Sequence, residues 1–146
     1  MNQRKRPLFL LVEDNPADIA LIHEVLGEFD LCHECVTKGD GLQALEYLQN
    51  KENRPPDFVL LDLNLPKMDG RELLRKIRET ESLAHLPVIV HSTSGTYTDV
   101  NAAYKMHANS FVQKAPTLDG FRENIRSLVH YWLQTVTLPI QNRSKQ

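Results

Sequence analysis

The stretch Phe58-Val59-Leu60-Leu61-Asp62 decides the fold of this chain, because four apolar residues run directly into a single carboxylate. A short and wholly apolar run is typical of a strand that is buried on both faces, as in a parallel sheet. Ligands of open α/β sheets bind beyond the carboxyl ends of the strands. Asp62 is therefore a candidate reacting group at the edge of a sheet. The alternative is a solvated acid that only ends a strand.

Apolar runs of the same kind recur along the chain, and each is followed by a stretch with helical periodicity. Strands are predicted at residues 7–12, 32–37, 58–61, 86–90 and 110–113, and the fourth helix is predicted at about 96–107. Strands that alternate with helices indicate a parallel sheet with right-handed crossovers and with helices on both faces. The sequence therefore predicts an α/β fold with a five-stranded parallel sheet, doubly wound in (βα)5 order.

The predicted helices begin at residues that are suited to cap them. Asn15 stands before Pro16, the favoured order for an N-cap and a first helical residue. Asp40 and Asp69 are each followed three residues later by Gln or Glu, a capping-box pattern, and Thr117 can cap the last helix. The apolar faces expected for the second and the last helix comprise Leu42, Leu45 and Leu48, and Leu118, Phe121, Ile125, Leu128 and Trp132, respectively.

Length and composition limit the classes of protein that fit. At 146 residues the chain is expected to form one domain, with a core at about 7–133 and a C-terminal tail at 134–146. A net charge of −2 gives no bulk attraction for nucleic acid or for an anionic membrane. No apolar run approaches the ~20 residues of a membrane span, and the N-terminus lacks the apolar segment of a signal peptide. A cytoplasmic protein is expected.

Cys32-His33-Glu34-Cys35 is a C-x-x-C pair, which invites a redox or zinc interpretation. The surrounding residues look like a strand, however, and strand residues three apart face opposite sides. The sequence contains no second pair that would complete a zinc site. Structural or incidental thiols are therefore expected.

The ends of four predicted strands carry groups that can do chemistry. Glu13 and Asp14 follow the first strand, Asp62 the third, Ser92 the fourth and Lys114 the fifth. The carboxyl ends of parallel strands lie at one edge of a sheet, so three carboxylates, a hydroxyl and an ammonium are expected to converge on one crevice. Each residue alone is weak evidence, and their shared position makes the combination specific.

Three clustered carboxylates call for a cation, because two unit charges ~4 Å apart repel by about 4 kcal/mol near a protein surface. Oxygen ligands with room for water suit Mg²⁺, which we expect Glu13, Asp14 and Asp62 to bind together with the backbone carbonyl of Asn64. An aspartate can be the nucleophile that forms an aspartyl-phosphate. The lysine and the serine of the crevice can then pair with the phosphate and donate to it.

These residues resemble the site of a two-component response-regulator receiver domain, over nearly the whole chain. Glu13 and Asp14 match that family's acidic pair, Asp62 its phospho-acceptor, Ser92 its hydroxyl residue and Lys114 its lysine. The resemblance implies a flavodoxin-like receiver fold and phosphotransfer from a sensor histidine kinase to Asp62, dependent on Mg²⁺. It also implies a signalling module rather than an enzyme.

Longer motifs resemble a narrower group, the single-domain regulators that serve bacterial, chiefly cyanobacterial, phytochromes. These motifs are Val12-Glu13-Asp14-Asn15-Pro16-Ala17-Asp18, Leu61-Asp62-Leu63-Asn64-Leu65-Pro66, Asp69-Gly70-Arg71-Glu72, and Tyr131-Trp132-Leu133 followed by Thr137-Leu138-Pro139. This second resemblance implies a kinase of the phytochrome type as the partner.

Two positions need separate comment when the sequence is compared with the receiver family. Most receivers have proline directly after the lysine, often with a cis peptide bond, whereas Ala115 stands between Lys114 and Pro116 here. A cis bond before alanine would cost about 3 kcal/mol, so the loop is expected to be set differently. Phe111 is a candidate switch residue alongside Ser92, since many receivers have an aromatic there that turns inward upon activation. A plain core phenylalanine is the equal alternative.

Two other functions compete with a phosphorylation-controlled signalling module. A hydrolase of the dehalogenase-type phosphatases also works through an aspartyl-phosphate, but it places its nucleophile after the first strand and adds a cap domain. A DNA-binding regulator appends an effector domain, and the segment after Trp132 is expected to be too short for a helix-turn-helix domain. A stable acyl-phosphate, as opposed to turnover of free phosphate esters, distinguishes the signalling module from the hydrolase.

Self-association is the output expected of a chain without an effector domain. The fourth helix carries Tyr97, Tyr104 and Met106 among polar residues, and the tail is apolar at 136–140. We expect a homodimer through the fourth helix, the fifth strand, the fifth helix and this tail, since symmetric dimers are the commonest oligomers. The alternative is a tail that folds back over its own domain.

Overall fold

The structure, a computed structural model, describes residues 6–29 and 33–139, so Cys32 and residue 140 lie outside the described part. The strands are β1 (Leu8–Val12), β2 (Glu34–Lys38), β3 (Phe58–Leu61), β4 (Val88–Ser92) and β5 (Ser110–Gln113). The helices are α1 (Pro16–Leu26), α2 (Gly41–Gln49), α3 (Gly70–Glu79), α4 (Tyr97–Lys105) and α5 (Leu118–His130), with a short 3₁₀ turn at Glu81–Leu83 and a π-helical turn at Tyr131–Thr135.

The five strands form one parallel sheet in the order β2-β1-β3-β4-β5. The chain first steps outward from β1 to β2 and then crosses back to β3 on the other side. This is the strand order of flavodoxin-like, doubly wound folds, and the predicted fold is confirmed. Within the described residues, no helix has the length and apolar character needed to span a membrane.

Both faces of the sheet are apolar, because successive strand residues point to opposite sides and helices cover each side. Leu10 and Leu61 pack on one face with residues of α2 and α3. On the other face, with α1 and α5, the rings of Phe9 and Phe58 stack at 4.8 Å, and Trp132 lies 5.7 Å from Phe58. A strand between two helical layers must be apolar throughout, which accounts for the unbroken apolar runs of β1 and β3.

The predicted caps stand at the observed starts of four helices. The side chain of Asn15 accepts hydrogen bonds from two N–H groups in the first turn of α1, at 2.9 and 3.1 Å. Asp40, Asp69 and Thr117 each accept an N–H from the first turn of α2, α3 and α5, at 2.7, 2.7 and 3.1 Å. Each bond satisfies a donor that has no acceptor within its own helix.

Three predicted elements have wrong bounds. The fourth strand runs Val88–Ser92 instead of 86–90, because its ladder with β5 continues until Ser92 lies opposite Gln113. The second strand runs Glu34–Lys38 instead of 32–37, because its ladder with β1 continues until Lys38 lies opposite Val12. The fourth helix ends at Lys105, short of the predicted end at 107. His107 adopts a left-handed backbone with φ of 68°, a conformation that closes helices.

Two leucines that were expected in the core are exposed. Leu42 is 43% exposed, because it lies about 100° around α2 from the face formed by Ala44, Leu45 and Leu48. Leu118 is 53% exposed, since it precedes the part of α5 that packs on the sheet. The helical periodicity was correct for the rest of both faces.

Arg78 ties together the segments that precede β4 and β5, at the sheet edge opposite the polar strand ends. Its guanidinium donates to the carbonyl of His107 at 2.8 and 3.0 Å, of Ala84 at 3.1 Å and of Leu86 at 2.7 Å. It also donates to the side-chain oxygen of Asn109 at 3.0 Å. One half-buried cation therefore satisfies three backbone carbonyls that lie outside the sheet ladder.

Strand β5 forms one edge of the sheet, and Tyr104 from α4 covers part of it. The Tyr104 hydroxyl accepts the backbone N–H of Phe111 at 3.1 Å. The side chains of Phe111 and Met106 pack, half-buried, against the cluster under α2 and α3. Met106 is therefore a core contact and not a free apolar group, whereas Tyr97 is 83% exposed.

The chain beyond α5 packs against its own domain. The π-helical turn Tyr131–Thr135 buries Leu133 in the cluster beneath α1 and α5, and Leu138 packs against the same cluster. The described part of the tail, 136–139, thus contributes to the fold of its own chain.

Candidate functional site

Four strand ends place functional groups at the same edge of the sheet. Glu13 follows β1, Asp62 follows β3, Ser92 ends β4 and Lys114 follows β5. The backbone N–H groups of Glu13, Asp62 and Lys114 still donate to carbonyls of a neighbouring strand, at 3.1, 3.0 and 2.7 Å. The ladder therefore fixes the backbone from which each of these side chains enters the site.

Three acids form a compact cluster. A carboxylate oxygen from each of Glu13, Asp14 and Asp62 lies within 4.8 Å of the other two. Glu13 and Asp62 are buried and Asp14 is exposed, so the cluster meets solvent at Asp14. An all-oxygen donor set of this kind fits a hard divalent cation. The structure thus brings together the three carboxylates that the sequence placed at one edge.

The Lys114 ammonium lies among the acids. Its Nζ is 2.8 Å from Asp18, 3.0 Å from Glu13 and 3.2 Å from Asp62, and its side chain is only 7% exposed. Together with Asp14, four carboxylates face one ammonium, a formal charge of −3 when all are ionised. Every peptide bond of the described residues is trans, including the one that follows Lys114.

The pKa values of the buried pair reflect this crowding. Burial, and after it the charge of Asp62, raises the pKa of Glu13 to about 7, although the nearby Lys114 acts to lower it. For Lys114, burial acts to lower the pKa. The hydrogen bond to Asp18 and the charges of Glu13 and Asp62 outweigh burial and hold that pKa well above its ordinary value. The lysine therefore stays charged, while Glu13 is within reach of protonation near neutral pH.

Asp62 also organises the loop that follows it. The N–H of Asn64 donates to the Asp62 carboxylate at 3.2 Å, which holds Asn64 beside the cluster. Gly70, at the start of α3, approaches so closely that an added Cβ would lie 2.4 Å from the carbonyl oxygen of Asp62. Only glycine permits this approach, so Gly70 sets the path of the loop around the acid.

Ser92 is wholly buried at the end of β4, one strand away from Asp62. Its hydroxyl accepts the N–H of Ser94 at 3.3 Å, and its carbonyl accepts the N–H of Lys114 at 2.7 Å. A hydroxyl also carries a hydrogen that it can donate. Ser92 therefore joins the loop after β4 to the lysine that follows β5.

His91 precedes Ser92 and points to the opposite face of the sheet. Its ring is 1% exposed and meets the Phe121 ring edge-on at 5.2 Å. Neither ring nitrogen has a hydrogen-bond partner among the described residues. Burial first, and the charge of Lys114 second, lower the pKa of His91 to about 4, while Asp18 acts to raise it. His91 is therefore a neutral core histidine behind the site.

Two further sequence candidates lie away from the cluster. Phe111 is half-buried with its N–H bound to Tyr104, and its role as a switch residue stays a prediction. Burial raises the pKa of the Cys35 thiol to about 11, so Cys35 is not a thiolate at neutral pH. A thiol in this form supports the expectation of an incidental cysteine.

Asp18 is the site residue that sequence reasoning missed. It lies in the first turn of α1, and its carboxylate makes the shortest of the three contacts to Lys114. The available signal was its position in the first turn of α1, only four residues after Asp14. A search restricted to residues that directly follow predicted strands cannot find a residue that reaches the site from a helix.

The fold and this set of strand-end residues define a class of protein. The family model described as "Response regulator receiver domain" matches residues 9–126, and the chain belongs to that family. The resemblance noted in the sequence is thereby confirmed.

Similar proteins include response regulators, one of which is a cyanobacterial phytochrome response regulator. The chain is 43% identical over 136 residues to "Response regulator Rcp1" of Synechocystis sp., covering 90% of this chain and 92% of that protein. It is similar to the crystal structure of the Mn²⁺-bound form of Rcp1, with a TM-score of 0.89 and 40% identity over 92% of this chain and 99% of that one. The phosphorylated cyanobacterial phytochrome response regulator RcpA gives a TM-score of 0.89 and 40% identity over 93% of this chain and 100% of that one.

Proposed function

We propose that this chain acts as one receiver domain, with its core at about 7–133, that accepts a phosphoryl group on Asp62. The observation that carries the proposal is the place of this carboxylate. Asp62 follows the central strand β3, belongs to the acid cluster and lies 3.2 Å from the Lys114 ammonium. Membership of the receiver family supports the same assignment.

The proposed donor is a phosphorylated histidine of a sensor kinase. A carboxylate oxygen of Asp62 forms a bond to phosphorus as the phosphorus–nitrogen bond breaks, and the departing imidazole takes up a proton. The product is an acyl-phosphate on Asp62 and a neutral histidine on the kinase. Because the donor is made from ATP, we place the exchange in the cytoplasm.

We propose Mg²⁺ as the cofactor, held by the carboxylates of Glu13, Asp14 and Asp62 and by the backbone carbonyl of Asn64. The cluster of three acid oxygens within 4.8 Å supports this set, as does the position of Asn64 beside Asp62. When bound, the ion neutralises charge on the phosphoryl oxygens.

Lys114 and Ser92 are the proposed switch. A phosphoryl group on Asp62 adds negative charge and acceptor oxygens where these two donors lie. Movement of the Ser92 and Lys114 side chains toward the phosphoryl group would also move the loops after β4 and β5. The two loops are coupled because the Ser92 carbonyl accepts the N–H of Lys114. Ser92→Ala and Lys114→Ala are expected to permit some phosphorylation but to uncouple it from structural change in α4 and β5.

The similarity to RcpA, a phytochrome response regulator, leads us to propose a phytochrome-type histidine kinase as the partner. The test compares the rates at which red-light-sensing and unrelated histidine kinases transfer labelled phosphate to this chain, at limiting kinase concentration. Preferential transfer from the phytochrome kinase supports the partner, and equal transfer from all kinases contradicts it.

Asp62→Asn tests the acceptor assignment, because the amide keeps the shape and loses the nucleophile. Incubation with a labelled phosphohistidine kinase should give acyl-phosphate in the parent and none in this variant. Asp69→Asn is the matched control, since it removes an exposed acid from the same loop and Asn caps α3 as well as Asp does. Full labelling of the Asp62 variant would disprove the assignment.

We propose self-association through α4, β5 and α5 as the output. Tyr97, Tyr104 and Tyr131, which are 83, 47 and 50% exposed, supply apolar surface on this side. Truncation of the tail is a poor test, since Leu138 packs against the core of its own chain. Sedimentation of the parent and of Tyr97→Ser, with and without beryllofluoride as an acyl-phosphate mimic, is the better one. Monomers in every sample at micromolar concentrations would rule out the dimer.

A further inference from the structure

Lys114 has a third acidic partner that lies outside the acid cluster. Among its contacts, the 2.8 Å distance to Asp18 is shorter than the distances to Glu13 and Asp62. Asp18 is not one of the three acids whose oxygens can share one ion. The same ammonium is therefore bound from two sides, by two acids of the cluster and by one acid of α1.

The fold places Asp18 firmly. Asn15 caps α1 and accepts the backbone N–H of Asp18 at 3.1 Å, so the helix starts at a fixed distance from the sheet edge. The Asp18 side chain is 19% exposed, although an acid in the first turn of a helix is ordinarily solvated. The first turn of the helix also places the positive end of the helix dipole beside this carboxylate. Both facts keep a negative charge directed at Lys114.

The two sides of Lys114 compete for one cation. An ammonium drawn toward Glu13 and Asp62 neutralises the oxygens that a divalent metal needs. An ammonium held by Asp18 leaves more of that negative charge uncompensated. Because opposite charges at about 3 Å interact strongly in a half-buried site, a small displacement of Nζ changes the field on the metal ligands.

We propose that Asp18 is a positioning residue that holds the Lys114 ammonium on the α1 side of the site and thereby strengthens divalent-metal binding by the acid cluster. The inference deepens the proposed function and rests on it only for the choice of metal and phosphoryl group. Asp18 acts through its contact with Lys114 and binds neither the metal nor the phosphoryl group.

Asp18→Asn tests this role through Mg²⁺ affinity, measured by calorimetric titration of the unphosphorylated protein. Loss of the charge should release Lys114 toward the cluster and weaken Mg²⁺ binding up to about fivefold, the scale of one ion pair. Asp18→Glu should restore most of the affinity. Glu24→Gln removes the same charge from the same helix, at a side chain that pairs with Arg122, and should leave the affinity unchanged.

A double-mutant cycle isolates the route through Lys114. In a Lys114→Met background, Asp18→Asn should no longer weaken Mg²⁺ binding. It should then have the same effect on Mg²⁺ affinity as Glu24→Gln. The ¹⁵N resonance of the Lys114 ammonium should also shift in Asp18→Asn and not in Glu24→Gln, with no metal present.

The inference is overturned if Asp18→Asn and Glu24→Gln have equal effects, or if the Asp18 effect persists without the lysine. Neither readout uses phosphorylation, so failure of the proposed function would appear separately, as acyl-phosphate retained in Asp62→Asn.

Discussion

His91 gives a quantitative prediction about acid stability. The imidazole is 1% exposed, faces Phe121 and has a pKa lowered to about 4, against 6.5 for a solvated histidine. Above pH 6.5 neither the folded nor the unfolded chain protonates this ring. Between pH 6.5 and 4 the unfolded chain binds a proton that the folded chain excludes. The free energy of unfolding must therefore fall as the pH falls through this window.

The size of the effect follows from the two pKa values. Each pH unit within the window removes about 1.4 kcal/mol, so acidification from pH 8 to pH 5 should cost about 2 kcal/mol through His91 alone. Other groups also titrate, and Glu13 opposes this trend because its pKa is raised in the folded state. A comparison of variant and parent at each pH cancels these other contributions.

His91→Leu is the informative change, since leucine fills a similar volume and has no proton to bind. Urea unfolding is followed by the fluorescence of Trp132, which is the single tryptophan and lies 5.7 Å from Phe58. The stability of the variant relative to the parent should rise by about 2 kcal/mol between pH 8 and pH 5. His130→Gln, at an exposed position on α5, is the control and should follow the parent at every pH.

Parallel stability curves for His91→Leu and the parent would refute the reasoning. They would mean that the folded protein protonates His91 as readily as the unfolded chain, and that burial without hydrogen-bond partners does not determine its charge. The urea m-value has to stay constant between the proteins, because a changed m-value would signal a change in the unfolded state.

Three further predictions concern the site and its supports. The pKa of Glu13 is raised to about 7, and Mg²⁺ requires the ionised carboxylate. The Mg²⁺ affinity should therefore fall by up to about tenfold per pH unit below pH 7. An affinity that calorimetry finds constant from pH 8 to pH 6 would show that Glu13 is not a ligand. Gly70→Ala places a Cβ 2.4 Å from the carbonyl oxygen of Asp62 and should lower the unfolding free energy by about 1–3 kcal/mol, whereas Gly39→Ala meets nothing within 4 Å and should change it little. Arg78→Met leaves three backbone carbonyls without their donor and should cost about 2 kcal/mol in urea unfolding, with no effect on Mg²⁺ affinity.

The order and direction of the elements were predictable because the determining forces are local in sequence. Unbroken apolar runs at β1 and β3 require cover on both faces, and helices between parallel strands supply it. Side-chain caps such as Asn15 and Thr117 mark helix starts through bonds within one turn. Errors arose where tertiary contacts decide. The ladder with β1 sets the limits of β2, and the extent of packing on the sheet leaves Leu118 exposed.

The same distinction applies to the candidate site. Glu13, Asp62 and Lys114 could be placed together from sequence because each follows a strand of one parallel sheet, and topology alone brings those ends to one edge. Their chemical roles stay predictions. Asp18 could not be placed in this way, since its distance from Lys114 depends on the tertiary position of α1 relative to the strand ends.

The bond between the Tyr104 hydroxyl and the N–H of Phe111 has a consequence for aggregation. An edge strand with free donors is a template on which another chain can extend the sheet. Here a side chain from α4 occupies one of the outward donors of β5 and stands across the path of an incoming strand. Contacts on this side of the molecule are thereby directed toward side-chain packing and away from backbone pairing. Tyr104→Phe keeps the ring but frees that donor, and should increase thioflavin-positive assembly at high protein concentration.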